Sequence, residues 1–231
     1  MLIRVGRDRS ERIDLGLAGA LSLIAGALNA VGFLVAGSFT ANMTGNISLF
    51  TEHLAQRQVL LALSFLGLVG AFLCGAGLAA FAVQSGVRRG MRSIYAWAIA
   101  AEAAVLLPLG LWLLARPGSA PDFFLVSLLS FVLGLQNAVT TMISGARVRT
   151  THVSGIVTDL GIGLAALAGG EEARADTVPR LKLYGLTLAC FAAGGILGTV
   201  LFSRTGAWIF LLAACGLLAL SMPQILRARM S

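Results

Sequence analysis

The sequence contains little charge: only 12% of its 231 residues are Asp, Glu, Lys or Arg, whereas 58% are hydrophobic. Soluble domains carry about 25% charged residues, so this chain has too little polar surface to cover a water-soluble globule of its size. Long runs of Leu, Ala and Val, with only 5 prolines, exclude a disordered or collagen-like chain. The composition therefore predicts an integral membrane protein.

Cysteine and histidine are also scarce, with 3 Cys and 2 His. The cysteines lie in apolar runs without a CxxC pair, which argues against a disulfide framework, a zinc site or a multi-histidine centre. No P-loop, zinc-protease, serine-hydrolase or dinucleotide motif occurs. We therefore expect no metal, no cofactor and no enzymatic activity.

The net charge of +7 would suggest nucleic acid in a soluble protein. The basic residues form no Lys-rich patch interleaved with aromatics, so we expect no nucleic-acid partner. Membrane proteins concentrate Lys and Arg in cytoplasmic loops, which explains the excess more simply.

Six apolar runs are each long enough to cross a bilayer, which takes about 20 helical residues. They cover residues 15–37, 59–83, 94–115, 123–145, 183–203 and 206–226. The sequence thus predicts an all-α, multi-pass protein with six transmembrane helices.

The basic residues orient these spans. With both termini in the cytoplasm, fourteen of the 17 basic residues are inside, and only Arg57, Arg116 and Arg204 are outside. The inside set is Arg4, Arg7, Arg9, Arg12, Arg88, Arg89, Arg92, Arg147, Arg149, Arg174, Arg180, Lys182, Arg227 and Arg229. An eight-span alternative, in which 42–56 and 152–169 also cross, divides the residues about eleven to six and is weaker.

Two blocks of sequence recur in the same order. Gly26-Ala-Leu-Asn29-Ala-Val matches Gly134-Leu-Gln-Asn137-Ala-Val, and Thr40-Ala-Asn-Met-Thr-Gly45 matches Thr150-Thr-His-Val-Ser-Gly155. The offset grows from 108 to 110, which indicates a two-residue insertion. Because three spans per repeat is an odd number, repeats over about 13–116 and 121–228 would be inverted in the membrane, as in many secondary transporters. We interpret the chain as a single membrane domain made of these two halves.

The matched motifs also predict broken or re-entrant segments after spans one and four. Residues 15–51 contain no charge, and one helix of that length would run about 55 Å, against a hydrocarbon core of about 30 Å. Polar capping residues follow each span, and Gly45 and Gly155 are the predicted points of backbone flexibility. Such irregular backbone is tolerated where it lines a cavity.

The motifs resemble those of the YoaK-type family of bacterial inner-membrane proteins, a domain of unknown function. The resemblance rests on Asn29-Ala-Val-Gly-Phe, Phe39-Thr-Ala-Asn-Met-Thr-Gly-Asn46, Gly134-Leu-Gln-Asn-Ala and Arg149-Thr-Thr-His-Val-Ser-Gly-Ile-Val-Thr-Asp159-Leu-Gly. It covers nearly the whole chain and implies a six-span protein of the bacterial inner membrane. It supplies no substrate.

Polar residues in and near the spans are the candidates for binding a small solute. They are Asn29, Thr40, Asn42, Thr44, Asn46, Asn137, Arg149, Thr150, Thr151, His152, Ser154 and Thr158. Each has a structural alternative: Asn42 as a helix cap, Arg149 as an interfacial residue that snorkels, and the intramembrane amides as interhelical hydrogen bonds.

Three ionisable residues are candidates for proton coupling. Glu102 lies within span three, while His152 and Asp159, seven residues apart, share one face of a helix. Imidazole titrates near neutral pH, which suits a proton relay. A purely structural pairing of any of the three stays open.

Together these features favour a secondary transporter or facilitator of a small polar or anionic solute, with proton coupling as an option. The first alternative is a membrane scaffold or partner-binding subunit, and the second is an intramembrane enzyme acting on lipid. Glycine-rich helix faces are compatible with a homodimer and equally with a monomer.

Overall fold

The computed structural model describes residues 2–3, 10–168 and 170–230, which form eight α-helices and, within these ranges, no strand. The helices are α1 (Glu11–Ala36), α2 (Met43–Ala55), α3 (Val59–Arg88), α4 (Ile94–Ala115), α5 (Asp122–Ser144), α6 (Val153–Ala166), α7 (Glu171–Thr205) and α8 (Trp208–Met230). Arg4, Arg7 and Arg9, which the charge count uses, lie outside the described residues.

Six of these helices are long and apolar enough to cross a membrane, namely α1, α3, α4, α5, α7 and α8. They confirm the six predicted spans. The other two, α2 and α6, have 13 and 14 residues. At 1.5 Å per residue each is about 20 Å long, shorter than the hydrocarbon core of about 30 Å. These lengths contradict the eight-span alternative.

Helix α7 begins earlier than the apolar run at 183–203 predicted. It has 35 residues and starts at Glu171, with Pro179 inside it. The additional turns at 171–182 contain Glu, Ala and Arg, which have good helix propensity. The helix therefore begins before the apolar run, although this segment is polar.

The strongest packing joins helices from before residue 116 to helices from after residue 121. Helix α1 packs on α7, α3 on α5, and α4 on α8. At five points a glycine lies so close to a facing backbone carbonyl that a Cβ would overlap it: Gly26 against Phe191, Gly75 against Phe131, Gly134 against Phe72, Gly194 against Leu23 and Gly198 against Ala27. Small residues at such crossings let helix backbones approach closely. These glycines pack against helices of the same chain. They are therefore no longer an argument for a homodimer.

The outer surface of the spanning helices is apolar. Leu73 and Phe81 of α3 and Ile196 of α7 are among the large hydrophobic side chains that point away from the chain. Such a surface suits contact with lipid, where an apolar exterior carries no solvation penalty.

The helix breaks occur where the long apolar segments predicted them. Helix α1 ends at Gly37, whose φ is 64°, and α5 ends at Gly145 and Ala146, with φ of 61° and 66°. The loops 37–42 and 145–152 then turn back along the preceding helix. In the first loop the Ala41 amide donates to the side chain of Asn29, seven residues before the end of α1. That spacing places the start of α2 about 10 Å below the end of α1.

The breaks are therefore not at the predicted glycines. Gly45 and Gly155 lie in the first turns of α2 and α6 and are helical. Their function in the structure is steric, because the Asn42 side chain packs on Gly45 and the His152 ring packs on Gly155. A Cβ at either position would overlap the side chain of the N-cap residue, so glycine lets Asn42 and His152 lie close to the first turn of their helices.

Candidate functional site

The two matched motifs, 110 residues apart, meet at one cavity. We call this space, of about 770 Å³, the shared cavity. It is lined by the first turns of α2 and α6 and by neighbouring side chains of α1, α3, α5 and α7. Eight predicted residues line it: Asn29, Asn42, Thr44, Gly45, Asn137, Thr151, His152 and Ser154.

The lining residues occur largely in matched pairs. These pairs are Asn29 with Asn137, Ala41 with Thr151, Asn42 with His152, Met43 with Val153, Thr44 with Ser154, and Phe72 with Phe191. The first-named residue of each pair lies in the N-terminal half of the sequence, and the second-named residue lies in the C-terminal half. The two halves of the sequence thus contribute corresponding positions to one space.

The first motif is held by its own hydrogen bonds. Asn29 Oδ1 accepts from the Ala41 amide at 2.9 Å, and Asn42 Oδ1 accepts from the Gly45 amide at 3.0 Å. Asn42 is therefore the N-cap of α2 and also a lining residue. Its Nδ2 makes no hydrogen bond with a described residue and can donate to a bound molecule.

The second motif leaves the equivalent groups unused. Asn137 Oδ1 is buried and has no hydrogen-bond partner among the described residues. His152 begins α6 but makes no side-chain capping bond. Because a buried polar atom without a partner costs about 1–3 kcal/mol, Asn137 is a group that a polar ligand would satisfy.

A second space, which we call the charged cavity, lies on the other side of His152. It has a volume of about 410 Å³. Predicted residues in it are Arg149, His152, Thr158 and Asp159, and the structure adds Arg147 and Tyr184. Arg149 and Asp159 thus lie outside the shared cavity, and His152 is the side chain that lines both.

A third space, the apolar cavity, lies where α1 ends and α3 and α5 begin. Its volume is about 340 Å³, and its lining includes Ala36, Phe65, Leu68 and Asp122. The charged cavity lies instead where α5 ends. The two spaces therefore flank opposite ends of α5.

Four predicted solute or coupling residues lie outside all three cavities: Thr40, Asn46, Thr150 and Glu102. Asn46 is buried and its amide donates to the Phe39 carbonyl at 3.1 Å, a structural bond within the first motif. Thr40 is buried against Gly32.

Thr150 and Glu102 belong to a buried polar row instead. The Thr150 hydroxyl donates to Gln136 Oε1 at 3.4 Å, and the Gln136 side chain faces Glu102. Both Glu102 oxygens and Gln136 Nε2 are buried without a hydrogen-bond partner in the part of the chain that the structure describes. The row runs from α4 through α5 to the loop before α6.

Several lining residues are not among those the sequence predicted. Phe39, Ser48, Phe72 and Phe191 line the shared cavity. Phe72 and Phe191 each precede a packing glycine by three residues in the sequence, so the pattern Phe-x-x-Gly was a signal for both. No sequence signal pointed to Ser48, because single serines are common in apolar helices.

No group of three or more His, Cys, Asp or Glu side chains within the described ranges could hold a metal ion. The side chains that line the three cavities can form hydrogen bonds and ion pairs.

Comparison with known proteins gives a family for this architecture. The family described as "Protein of unknown function (DUF1275)" matches residues 17–222. The UPF0700 transmembrane protein YoaK of Bacillus subtilis (strain 168) is 31% identical over 146 residues, which cover 62% of this chain and 64% of that protein. The UPF0700 transmembrane protein RA0705 of Rhizobium meliloti (strain 1021) is 28% identical over 214 residues, which cover 91% of this chain and 87% of that protein.

No solved structure matches the chain. The family match extends over most of the sequence, and both relatives are named as transmembrane proteins. The six apolar helices agree with those names. The chain therefore belongs to the DUF1275 family and is a multi-pass membrane protein.

Proposed function

We propose that the protein is a secondary transporter or facilitator for a small polar or anionic solute that binds in the shared cavity. The observation that carries this proposal is the meeting of two distant motifs at one space of about 770 Å³. Ligand cavities typically measure about 300–1,000 Å³ and combine apolar walls with a few convergent polar groups. Here the polar groups are amides, hydroxyls and one imidazole.

The helix starts support a polar or anionic solute. The first turns of α2 and α6 both border the shared cavity. Backbone N–H groups at a helix start lack intrahelical partners and carry partial positive charge. Discontinuous helices in transporters present such ends to anionic groups of the substrate.

The packing supports two inverted repeats. Gly26 lies against Phe191 as Gly134 lies against Phe72. The two glycines are 108 residues apart in the sequence, and the two phenylalanines are 119 residues apart. We also propose the orientation that the charge count predicts, in a bacterial inner membrane with both termini in the cytoplasm. Inverted repeats supply two related conformations, which is the basis of alternating access.

The charged and apolar cavities, at opposite ends of α5, are the proposed routes to the shared cavity. In this conformation His152 lines both the shared and the charged cavity. Movement of the imidazole or of the first turn of α6 would join the two spaces. A solute would then pass from one to the other.

Proton coupling is proposed for Glu102, with His152 and Asp159 as further candidates. Glu102 is fully buried in α4. Burying an ionisable group at membrane depth costs free energy, so such a residue is by default a candidate for function. Glu102 lies beside Gln136, whose Oε1 accepts from the Thr150 hydroxyl of the second motif. Glu102→Gln should abolish proton-driven accumulation in proteoliposomes and leave exchange of solute across the membrane active.

The first experiment is a thermal-shift screen of the purified protein against carboxylates, phosphate, sugars, polyols and amino acids. A ligand at 100 times its Kd should stabilise the native form by about 2.7 kcal/mol. A hit should disappear in both Asn42→Ala and His152→Ala. It should persist in Ser64→Ala, a polar residue of the apolar cavity. The hit is then followed as radiolabelled flux into proteoliposomes.

The alternatives give different results. A scaffold predicts no saturable ligand and no flux, with substitutions in the motifs affecting only stability or partner retention. An enzyme predicts product from the purified protein without any gradient. Either result would contradict transport.

A further inference from the structure

The charged cavity holds one guanidinium and one carboxylate that do not neutralise each other. Arg149 lies in the loop before α6 and Asp159 in the second turn of α6, and both line the same space of about 410 Å³. Neither makes an ion pair or hydrogen bond with any residue that the structure describes. Two opposite charges therefore line one cavity without pairing with each other.

The other charged group in this cavity is already engaged. Arg147 Nη2 lies 3.1 Å from Asp14 Oδ2, and Arg147 Nε donates to the Ser144 carbonyl. Its charge is thus offset by a carboxylate at the start of α1. What remains for a solute is one positive group and one negative group.

A solute of one charge sign would satisfy only half of this arrangement. An anion would pair with Arg149 but would meet the repulsion of Asp159, and a cation would have the reverse difficulty. A molecule that carries both charges satisfies both groups, and the planar guanidinium suits a carboxylate in a bidentate pair.

We propose that the charged cavity binds a small zwitterion of the amino-acid type, with its carboxylate at Arg149 and its ammonium at Asp159. The inference rests on the transporter proposal and gives its substrate class. The hydroxyls of Thr158 and Tyr184 face the same space and would bind the remaining polar groups.

The opposite end of the molecule lacks this chemistry. At the offset of 119 that relates Phe72 to Phe191, Tyr184 corresponds to Phe65 and Thr187 to Leu68, and both lie in the apolar cavity. At the offset of 110 that relates the two motifs, Arg149 corresponds to Phe39, which stacks on Phe33 with ring centroids 4.5 Å apart. The polar lining is therefore particular to the charged cavity and not a general consequence of the fold.

Binding of matched probes tests the class. Calorimetry on the purified protein compares each protein amino acid with its analogue lacking the ammonium and its analogue lacking the carboxylate; for L-alanine these are propionate and ethylamine. At least one amino acid should bind about threefold or more tighter than both analogues, because an accessible charge pair contributes a factor of a few. Equal binding of the analogues, or saturable binding of no amino acid, would overturn the proposal.

Two variants should change selectivity in opposite directions. Asp159→Asn should weaken binding of the amino acid and spare the acid analogue, whereas Arg149→Gln should weaken it and spare the amine analogue. Glu52→Gln and Arg204→Gln remove charges that line none of the three cavities and should change neither. If either test variant weakens all three probes equally, the residue is structural and the assignment is wrong.

Flux measurements separate this inference from the transporter proposal. Selective amino-acid binding without flux into proteoliposomes would support the zwitterion site and contradict transport. Flux of phosphate or a polyol that depends on Asn42 and His152, without amino-acid binding, would support transport and overturn the zwitterion class.

Discussion

The first segment, residues 37–55, and the second segment, residues 145–166, follow the same path but are held differently. Each leaves a spanning helix through a left-handed glycine, turns back and starts a short helix at the shared cavity. The tip of the first loop is fixed by bonds to Asn29, Asn42 and Asn46. None of these bonds has an equivalent among the described residues of the second segment.

The second loop is fixed at its root instead. The Ser144 hydroxyl accepts from the Val148 amide at 2.9 Å and donates to the Thr140 carbonyl at 2.7 Å. Arg147, in the same loop, pairs with Asp14. The first segment is thus fixed by its own polar side chains, whereas the imidazole of His152 and the charges of Arg149 and Asp159 have no partner among the described residues.

The largest expected effect tests whether the two halves pack equivalently. Gly75→Leu and Gly194→Leu should each destabilise the protein by about 3 kcal/mol, because each side chain would enter a backbone carbonyl of the facing helix. Gly70→Leu and Gly185→Leu, in the same two helices, meet open space and serve as controls. Thermal unfolding in detergent measures the change. A severe loss in only one of the two test variants would contradict equivalent packing.

The next effect separates the two intramembrane asparagines. Asn29→Ala should cost about 1–3 kcal/mol of unfolding free energy, because it leaves the buried Ala41 amide without its acceptor. Asn137→Ala should be neutral or slightly stabilising, since it removes an unpartnered buried oxygen. For binding of the screened ligand we expect the reverse order, with Asn137→Ala weakening binding more than Asn29→Ala does. Equal melting temperatures for the two variants would show that the difference between the loops has no energetic weight.

Exchanging the helix-start residues sharpens the comparison further. Asn42→Ala should lower the unfolding free energy by about 1 kcal/mol through loss of the cap, whereas His152→Ala should change it little. His152→Asn should create a cap on α6 and stabilise the ligand-free protein by about 0.5–1 kcal/mol. Calorimetric scans without ligand measure all three, and destabilisation by His152→Asn would contradict the argument.

The smallest expected effect concerns the root of the second loop. Arg147 is half exposed, so its pair with Asp14 should contribute about 1 kcal/mol or less. A double-mutant cycle with Arg147→Gln and Asp14→Asn isolates this coupling energy. A coupling energy near zero would mean that the ion pair does not hold the second loop in place.

Much of the fold could be predicted from the sequence. The six spans follow from apolar runs of sufficient length, and the breaks follow from segments too long for the bilayer. The exact break residues could not be predicted in the same way. Gly45 and Gly155 occur beside the breaks because Asn42 and His152 pack on them, and this steric requirement is visible only in three dimensions.

The candidate site was predictable by residue type and less so by position. The matched motifs singled out Asn42, Asn137 and His152 by residue type, and all three line the shared cavity. Thr40 and Asn46 belong to the same motifs but are turned into the protein. Sequence spacing does not distinguish these sets, because side-chain direction within a short loop depends on the backbone path.

By itself the sequence determined the membrane environment, the number of spans and the presence of two matched motifs, because hydrophobic length and local polarity are properties of the chain. Only the tertiary structure decided that the motifs share one cavity, that Arg149 and Asp159 belong to a second, and that Glu102 lies beside Gln136. The physical reason is that helices from opposite halves pack through glycines, so which polar groups meet is set by distant crossings and not by neighbours in sequence.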